Sequence, residues 1–149
     1  MRLFRTLVCL ILVAFFSGCA CRTKTRAPDA DNVPLAEAGQ ELEDINFAFD
    51  RYDLSSTAKS ALAKNGDWLK ENSSTSIVVE GHCDERGTRE YNLVLGQKRA
   101  QAAYDYLRGL GVADSRMSTV SYGEDLPLDP RSNEVAWAKN RRAHFRVER

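Results

Sequence analysis

Ile77-Val78-Val79-Glu80-Gly81-His82-Cys83-Asp84-Glu85-Arg86-Gly87-Thr88-Arg89-Glu90-Tyr91-Asn92 decides the fold. Ile77-Val78-Val79 is a short, continuous β-branched run, the pattern of a strand buried on both faces. It ends at Gly81. The segment Gly81 to Thr88 holds two glycines, Gly81 and Gly87, and the ionisable side chains His82, Asp84, Glu85 and Arg86, and a periodic apolar pattern begins near Glu90. That order is strand, polar loop, helix. Leu93, Ala100, Ala103, Tyr104, Leu107 and Leu110 give the helix a core face to about Leu110, where Gly109 and Gly111 mark its end.

Outward from this unit the signals alternate. Upstream, Ile45, Phe47 and Phe49 alternate with Asn46, Ala48 and Asp50, which predicts a strand with one apolar face. Ser55 or Ser56 is placed to cap a helix running to about Asn72, with Ala58, Leu62 and Leu69 in its apolar stripe and Ala61 and Trp68 beside it. Downstream, Met117 to Tyr122 predicts a third strand. Glu124 to Arg131, with Pro127 and Pro130, predicts a loop, Ala136 to Arg142 a short helical turn, and Ala143 to Val147 a last strand. The order β-α-β-α-β-β predicts an α/β domain over residues 45–149, a two-layer sandwich with helices packed on one face of a mixed sheet.

The first residues belong to a different regime. Arg2 and Arg5 precede an unbroken apolar run of ten residues, Leu7 to Phe16, followed by Ser17, Gly18 and Cys19. This is the n-region, h-region and small-residue boundary of a secretory signal, too short to span a bilayer, which needs roughly 20 apolar residues. Phe16-Ser17-Gly18-Cys19 resembles a lipobox, with Phe16 at a position usually held by Leu. That resemblance predicts a lipoprotein signal at 1–18 and a lipidated Cys19. Acylation with several chains anchors durably, where a single chain binds only marginally. Ala20, in place of the Asp that retains enterobacterial lipoproteins in the inner membrane, implies export to the outer membrane. Residues 19–44, with Pro28, Pro34 and Gly39 and no sustained period, predict a flexible tether.

Composition bounds the function. The chain has 149 residues, 21 Lys+Arg against 21 Asp+Glu, and 43% hydrophobic residues. That is an ordinary balance for one globular domain. Zero net charge disfavours a nucleic-acid binder, which shows a basic excess or stripe. The four Cys show no metal-ligand spacing. With Cys9 removed and Cys19 lipidated, Cys21 and Cys83 remain. Cys21 lies in the tether, so two free thiols are favoured over a bridge.

The loop 81–88 concentrates the chemistry. Glycine lets backbone approach a ligand, and the amides at a helix start favour anionic groups. Asn92, Leu95, Arg99 and Ala103 share one helix face, with Arg99 about 10 Å of rise beyond Asn92. With the loop folded back, Asp84 and Arg99 flank one pocket. A carboxylate and a guanidinium held apart suit a zwitterion: the carboxylate takes an ammonium, the guanidinium a carboxylate, with bidentate geometry open to it. A direct Asp84–Arg99 salt bridge stapling loop to helix is the other arrangement, and the sequence leaves both open.

Gly81 to Asn92, with Leu95-Gly96-Gln97-Lys98-Arg99-Ala100, resembles the signature of the peptidoglycan-associated lipoproteins within the OmpA C-terminal-like family. Phe47 to Asp53, Val120 to Gly123 and Ala138 to Ala143 match further blocks in the same order. The resemblance covers about Ile45 to Val147. It implies the OmpA-like fold and non-covalent binding of peptidoglycan through the meso-diaminopimelate of the stem peptide. Asp84 would hold the diaminopimelate amine and Arg99 its carboxylate. Tyr91, Asn92 and Leu95 would line the pocket, with Phe47 assisting, and the backbone around Glu85, Gly87 and Thr88 would add hydrogen bonds. The resemblance further implies an outer-membrane protein of the periplasmic face that links membrane to cell wall. It implies partnership with TolB, and with TolA as a further candidate, in the Tol-Pal system of envelope integrity and cell division. It implies neither enzyme activity nor a cofactor. Two positions depart from the pattern: Cys83 stands where Thr or Ala is usual, and Ala48 where an acidic residue is often found.

Two other chemistries fit the same residues less well. A hydrolase with Cys83 as nucleophile needs His82 or His144 within hydrogen-bond reach. Neighbouring side chains at a strand end point apart, and His144 reads as a structural histidine. His82, Cys83 and Asp84 are consecutive, and consecutive residues rarely converge on one metal ion. In the cluster Lys139-Asn140-Arg141-Arg142 a structural role is favoured. By family analogy, Asn140 and Arg142 would order the domain beside the pocket.

Overall fold

Side-chain caps set the helix starts in the computed structural model, which describes residues 42–148. Ser55 Oγ accepts from the Ala58 amide at 3.1 Å and opens α1 (Ser56–Glu71). Thr88 Oγ1 accepts from the Tyr91 amide at 3.2 Å and opens α2 (Arg89–Gly109). Asn133 Oδ1 accepts from the Ala136 amide at 3.0 Å and opens α3 (Glu134–Asn140). Each oxygen satisfies an amide that the first turn leaves without a helical partner. At the far end of α1, Arg116 reaches back from a 3₁₀ turn (Asp114–Arg116) and donates to the carbonyls of Leu69, Asn72 and Thr75 at 2.8–2.9 Å.

Four strands, β1 (Ile45–Asn46), β2 (Ser76–His82), β3 (Met117–Gly123) and β4 (Arg142–Glu148), form one sheet in the order β1-β4-β2-β3. β2 runs parallel to β3 and antiparallel to β4, so the sheet is mixed, and α2 is the crossover between the parallel pair. The register sets Ile77, Val79 and Gly81 opposite Val147, Phe145 and Ala143. This face packs on α1 and α2, with Leu62, Leu69 and Leu107 fully buried against it. The fold is the α/β arrangement expected.

The other face of β2 carries Val78, Glu80 and His82, all buried. Side chains do the covering. Glu80 accepts from Arg146 Nε at 2.8 Å, His82 stacks on Tyr122 with ring centroids 5.5 Å apart, and His144 pairs with Asp44 at 2.8 Å.

Three expectations differ in detail. β1 ends at Asn46, not near Phe49. Its partner begins only at Arg142, so pairing fades after the Phe47 amide donates to Arg141 O at 2.9 Å. The chain then turns through Asp50, at φ 56°. The packed domain also reaches back beyond Ile45. Leu42 is 1% exposed within the core, and Asn65 clamps the Glu43 backbone with two 2.8 Å hydrogen bonds. Residues 42–44 are therefore part of the domain, not of the tether. α3 starts at Glu134, before the expected Ala136, because Asn133 caps it. The signal at 1–18, Cys19, Ala20, Cys21 and the rest of the tether lie outside the described residues.

Candidate functional site

The loop from β2 to α2 is fixed at both ends. The Cys83 amide donates to Gly123 O at 2.7 Å, continuing the ladder by one residue past β2. Asn92, in the first turns of α2, donates to the carbonyls of Asp84 and Arg86 at 3.2 and 3.3 Å and to the Glu124 carboxylate. Gly87 sits at φ 120°, a backbone geometry that strains any residue with a Cβ. The loop is thereby folded back over the helix start.

Arg99 is 1% exposed and makes four hydrogen bonds. Nε donates to Arg51 O at 2.9 Å. Nη1 donates to His82 O at 2.8 Å and meets Cys83 Sγ at 3.4 Å. Nη2 donates to Ala48 O at 3.2 Å. It thus ties the 48–51 turn to the end of β2, and its guanidinium lies 5.3 Å from the Phe47 ring centroid. A guanidinium has five N–H groups. One, on Nη2, has no acceptor among the described residues. Burial pulls the Arg99 pKa down, and the neighbouring Cys83 and Asp84 oppose that pull.

Asp84, 3% exposed, is held by two other arginines. Arg86 donates from Nη2 to Oδ2 at 2.7 Å and from Nε to Oδ1 at 3.3 Å, and its amide donates to Oδ1 at 3.1 Å. Arg141 Nη1 donates to Oδ2 at 3.1 Å. Burial works against the Asp84 carboxylate, but these bonds outweigh it and hold the carboxyl below its ordinary range. Of the two arrangements the sequence left open, the direct staple is absent. Asp84 and Arg99 make no ion pair with each other, and both line one open cavity of about 230 Å³.

That cavity is walled by Phe49, Asp50, Cys83, Asp84, Arg86, Gly87, Tyr91, Asn92, Leu95 and Arg99. Of the residues singled out from the sequence, Asp84, Gly87, Tyr91, Asn92, Leu95 and Arg99 come together there. Three do not. Phe47 points into the core at 5% exposure, and the wall is Phe49 instead, because the strand has ended and the turn presents the second aromatic. Thr88 caps α2. Glu85 accepts from Trp137 Nε1 at 3.0 Å and borders a separate cavity of about 200 Å³.

Sequence reasoning missed Asp50, Arg86 and Arg141. Asp50 is placed by its turn, where its carboxylate accepts from the Tyr91 hydroxyl. Arg86 stood inside the quoted motif, and its spacing of two from Asp84 was the available signal. Arg141 is 57 positions from Asp84, and no local pattern marks it. The expected ordering roles fall on neighbours of the pocket. Asn140 clamps Asp129 through bonds of 2.7 and 2.9 Å, while Arg142 lies on the face of the sheet opposite α1 and α2, near Asp44.

The arrangement offers two buried charges of opposite sign around a small open space. Its volume lies below the several hundred Å³ of drug-sized pockets and suits a single head group. Cys83 contributes an unreactive wall: it is 2% exposed, and burial pushes its thiol up to about 11. Among the described residues no three His, Cys, Asp or Glu side chains gather as a metal site.

Comparison with known proteins places the chain in context. The sequence profile of the OmpA family matches residues 46–141. The chain is 39% identical over 153 aligned residues to the peptidoglycan-associated lipoprotein of Mesorhizobium japonicum, covering 95% of this chain and 91% of that one. It is 41% identical over 109 residues to the peptidoglycan-associated lipoprotein of Haemophilus influenzae, covering 73% and 71%. The crystal structure of the peptidoglycan-associated lipoprotein from Burkholderia pseudomallei is similar at 38% identity and a TM-score of 0.69, covering 80% of this chain and 98% of that chain.

Proposed function

The chain belongs to the OmpA family, and on that premise we propose that it is an outer-membrane lipoprotein that binds peptidoglycan without turning it over. The carrying observation is the cavity in which Asp84 and Arg99 face a common space without pairing. The ligand is the diaminopimelate of the stem peptide, whose side chain ends in an amine and a carboxylate on one carbon. Asp84 takes the ammonium. The remaining Nη2 N–H of Arg99 takes one carboxylate oxygen, and bidentate pairing would require Arg99 to release a backbone carbonyl or the Cys83 sulfur. Tyr91 and Phe49, half-exposed at the rim, pack on the aliphatic carbons.

Cys19 carries the lipid anchor, and the residues before Leu42 tether the domain beneath the membrane on its periplasmic side. TolB, and with it TolA, are the protein partners in this reading. A binding role is favoured over hydrolysis because Cys83 is buried, its thiol is held protonated, and its Sγ bonds to the Asn92 carbonyl at 3.3 Å instead of to a histidine.

Retention on purified sacculi tests the assignment. The wild-type chain is expected to co-sediment and to be released by free meso-diaminopimelate. Asp84→Asn keeps shape but removes the charge, and its retention should fall by about one to two orders of magnitude, the worth of a desolvated charge-assisted contact. Retention of folded Asp84→Asn equal to wild type would remove the pocket from the reading.

A further inference from the structure

We propose that Arg86 is an internal competitor for the ligand ammonium, so that binding at Asp84 proceeds by exchanging one cation for another. The inference rests on the cavity reading above. The two arginines on Asp84 are held very differently. Arg141 is 7% exposed and also donates to Phe47 O at 3.1 Å and to Glu134 at 2.9 Å, so it belongs to the framework. Arg86 has a side chain 30% exposed and stands in the cavity wall. Its guanidinium carbon lies 3.9 Å from the Phe49 ring centroid and 4.2 Å from that of Trp137, with Glu134 Oε2 at 3.6 Å from Nη1.

These contacts are made in the same position from which Arg86 bonds Asp84, so they remain available to it when that bond is given up. Two aromatic faces and a half-exposed carboxylate hold a cation without Asp84. When an ammonium arrives, Arg86 can release Oδ2 and stay between Phe49 and Trp137. The Asp84 carboxylate is never left bare, the state that would cost most in a buried site. A ligand without a cation at this point has nothing to offer in exchange. Arg86 therefore sets specificity for an amine and lowers the affinity for it. If the released state holds about a tenth of the population, removing Arg86 tightens binding about tenfold.

Calorimetric titration of the full-length chain in detergent with meso-diaminopimelate tests this. Arg86→Gln is expected to bind about tenfold more tightly than wild type. Trp137→Leu, which removes one of the two aromatic faces that hold Arg86 once it has left Asp84, should move affinity in the opposite direction, toward weaker binding. Binding by Arg86→Gln when wild type is too weak to measure would support the exchange as well. Unchanged or weaker binding by Arg86→Gln, with wild type binding normally, overturns the competitor role and leaves the site assignment standing. If neither wild type nor Arg86→Gln binds, the diaminopimelate reading and the exchange fall together.

Discussion

Arg99 and His82 show how burial alone gives two residues opposite fates. Arg99 gives three of its five N–H groups to backbone carbonyls and a fourth to the Cys83 sulfur, and it was legible as a site residue because it shares a helix face with Asn92 and Leu95 beside the polar loop. His82 is 2% exposed, yet neither ring nitrogen makes a hydrogen bond of good geometry. Glu80 stands 3.8 Å away, and the Leu126 backbone adds only a weak contact. Burial first, then the charges of Arg142 and His144, lower the His82 pKa to about 4 from about 6.5. Between those values the unfolded chain binds more protons than the folded one. The contribution of His82 to stability is complete above pH 6.5 and is lost as pH falls toward 4, on the order of 3 kcal/mol. His144, raised by its bond to Asp44, acts in the opposite sense: its contribution is complete at low pH and is lost as pH rises through its folded value. His82→Phe removes two unpaired polar atoms and keeps the stack on Tyr122. Chemical denaturation at pH 7 and pH 4.5 should show the variant gaining on wild type by a few kcal/mol at the lower pH. A difference that does not change with pH would mean that the imidazole is not buried neutral.

Element positions depend on one close approach. A Cβ built on Gly81 would stand 1.9 Å from the Gly96 carbonyl oxygen and 2.5 Å from its carbon, so β2 and α2 touch backbone to backbone. This contact sets the height of α2 over the sheet and hence where Asn92 and Arg99 reach the cavity. Gly81→Ala meets backbone that cannot yield, and should cost at least about 3 kcal/mol in denaturant unfolding, or abolish folding. Gly109→Ala has nothing within 4 Å and serves as the control, neutral or slightly stabilising. A Gly81→Ala protein as stable as wild type would show that the two elements can separate freely. The sequence disclosed that β2 and α2 exist, from a β-branched run and a 3.6-residue period. It did not disclose that the glycine ending the run is a packing residue, since the atoms it meets come from the helix and not from its neighbours. The length of β1 was hidden for the same reason: alternation through Phe49 is a local signal, whereas pairing ends where β4 begins.

At the scale of the whole molecule, the domain boundary is set by packing and not by composition. Leu42 has lost nearly all its accessible surface, and the Glu43 backbone satisfies both ends of the Asn65 amide, itself 1% exposed. A chain beginning at Ile45 should be less stable than one beginning at Leu42 by roughly 3 kcal/mol, from lost apolar burial plus an orphaned amide. Thermal unfolding of the two truncations would measure it, and equal midpoints would return residues 42–44 to the tether. By itself, the sequence determined the α/β class, the order of elements, the loop that carries the chemistry and the helix face that carries Arg99. These follow from periodicity, capping residues and charge, which act between neighbours along the chain. Only the tertiary structure decided which aromatic faces the cavity, that Arg141 joins in holding Asp84, and that Arg99 keeps one N–H without an acceptor among the described residues. Those outcomes depend on side chains that meet across 48, 51 and 57 positions, where burial and the need to pair every buried polar group choose partners that no local pattern specifies.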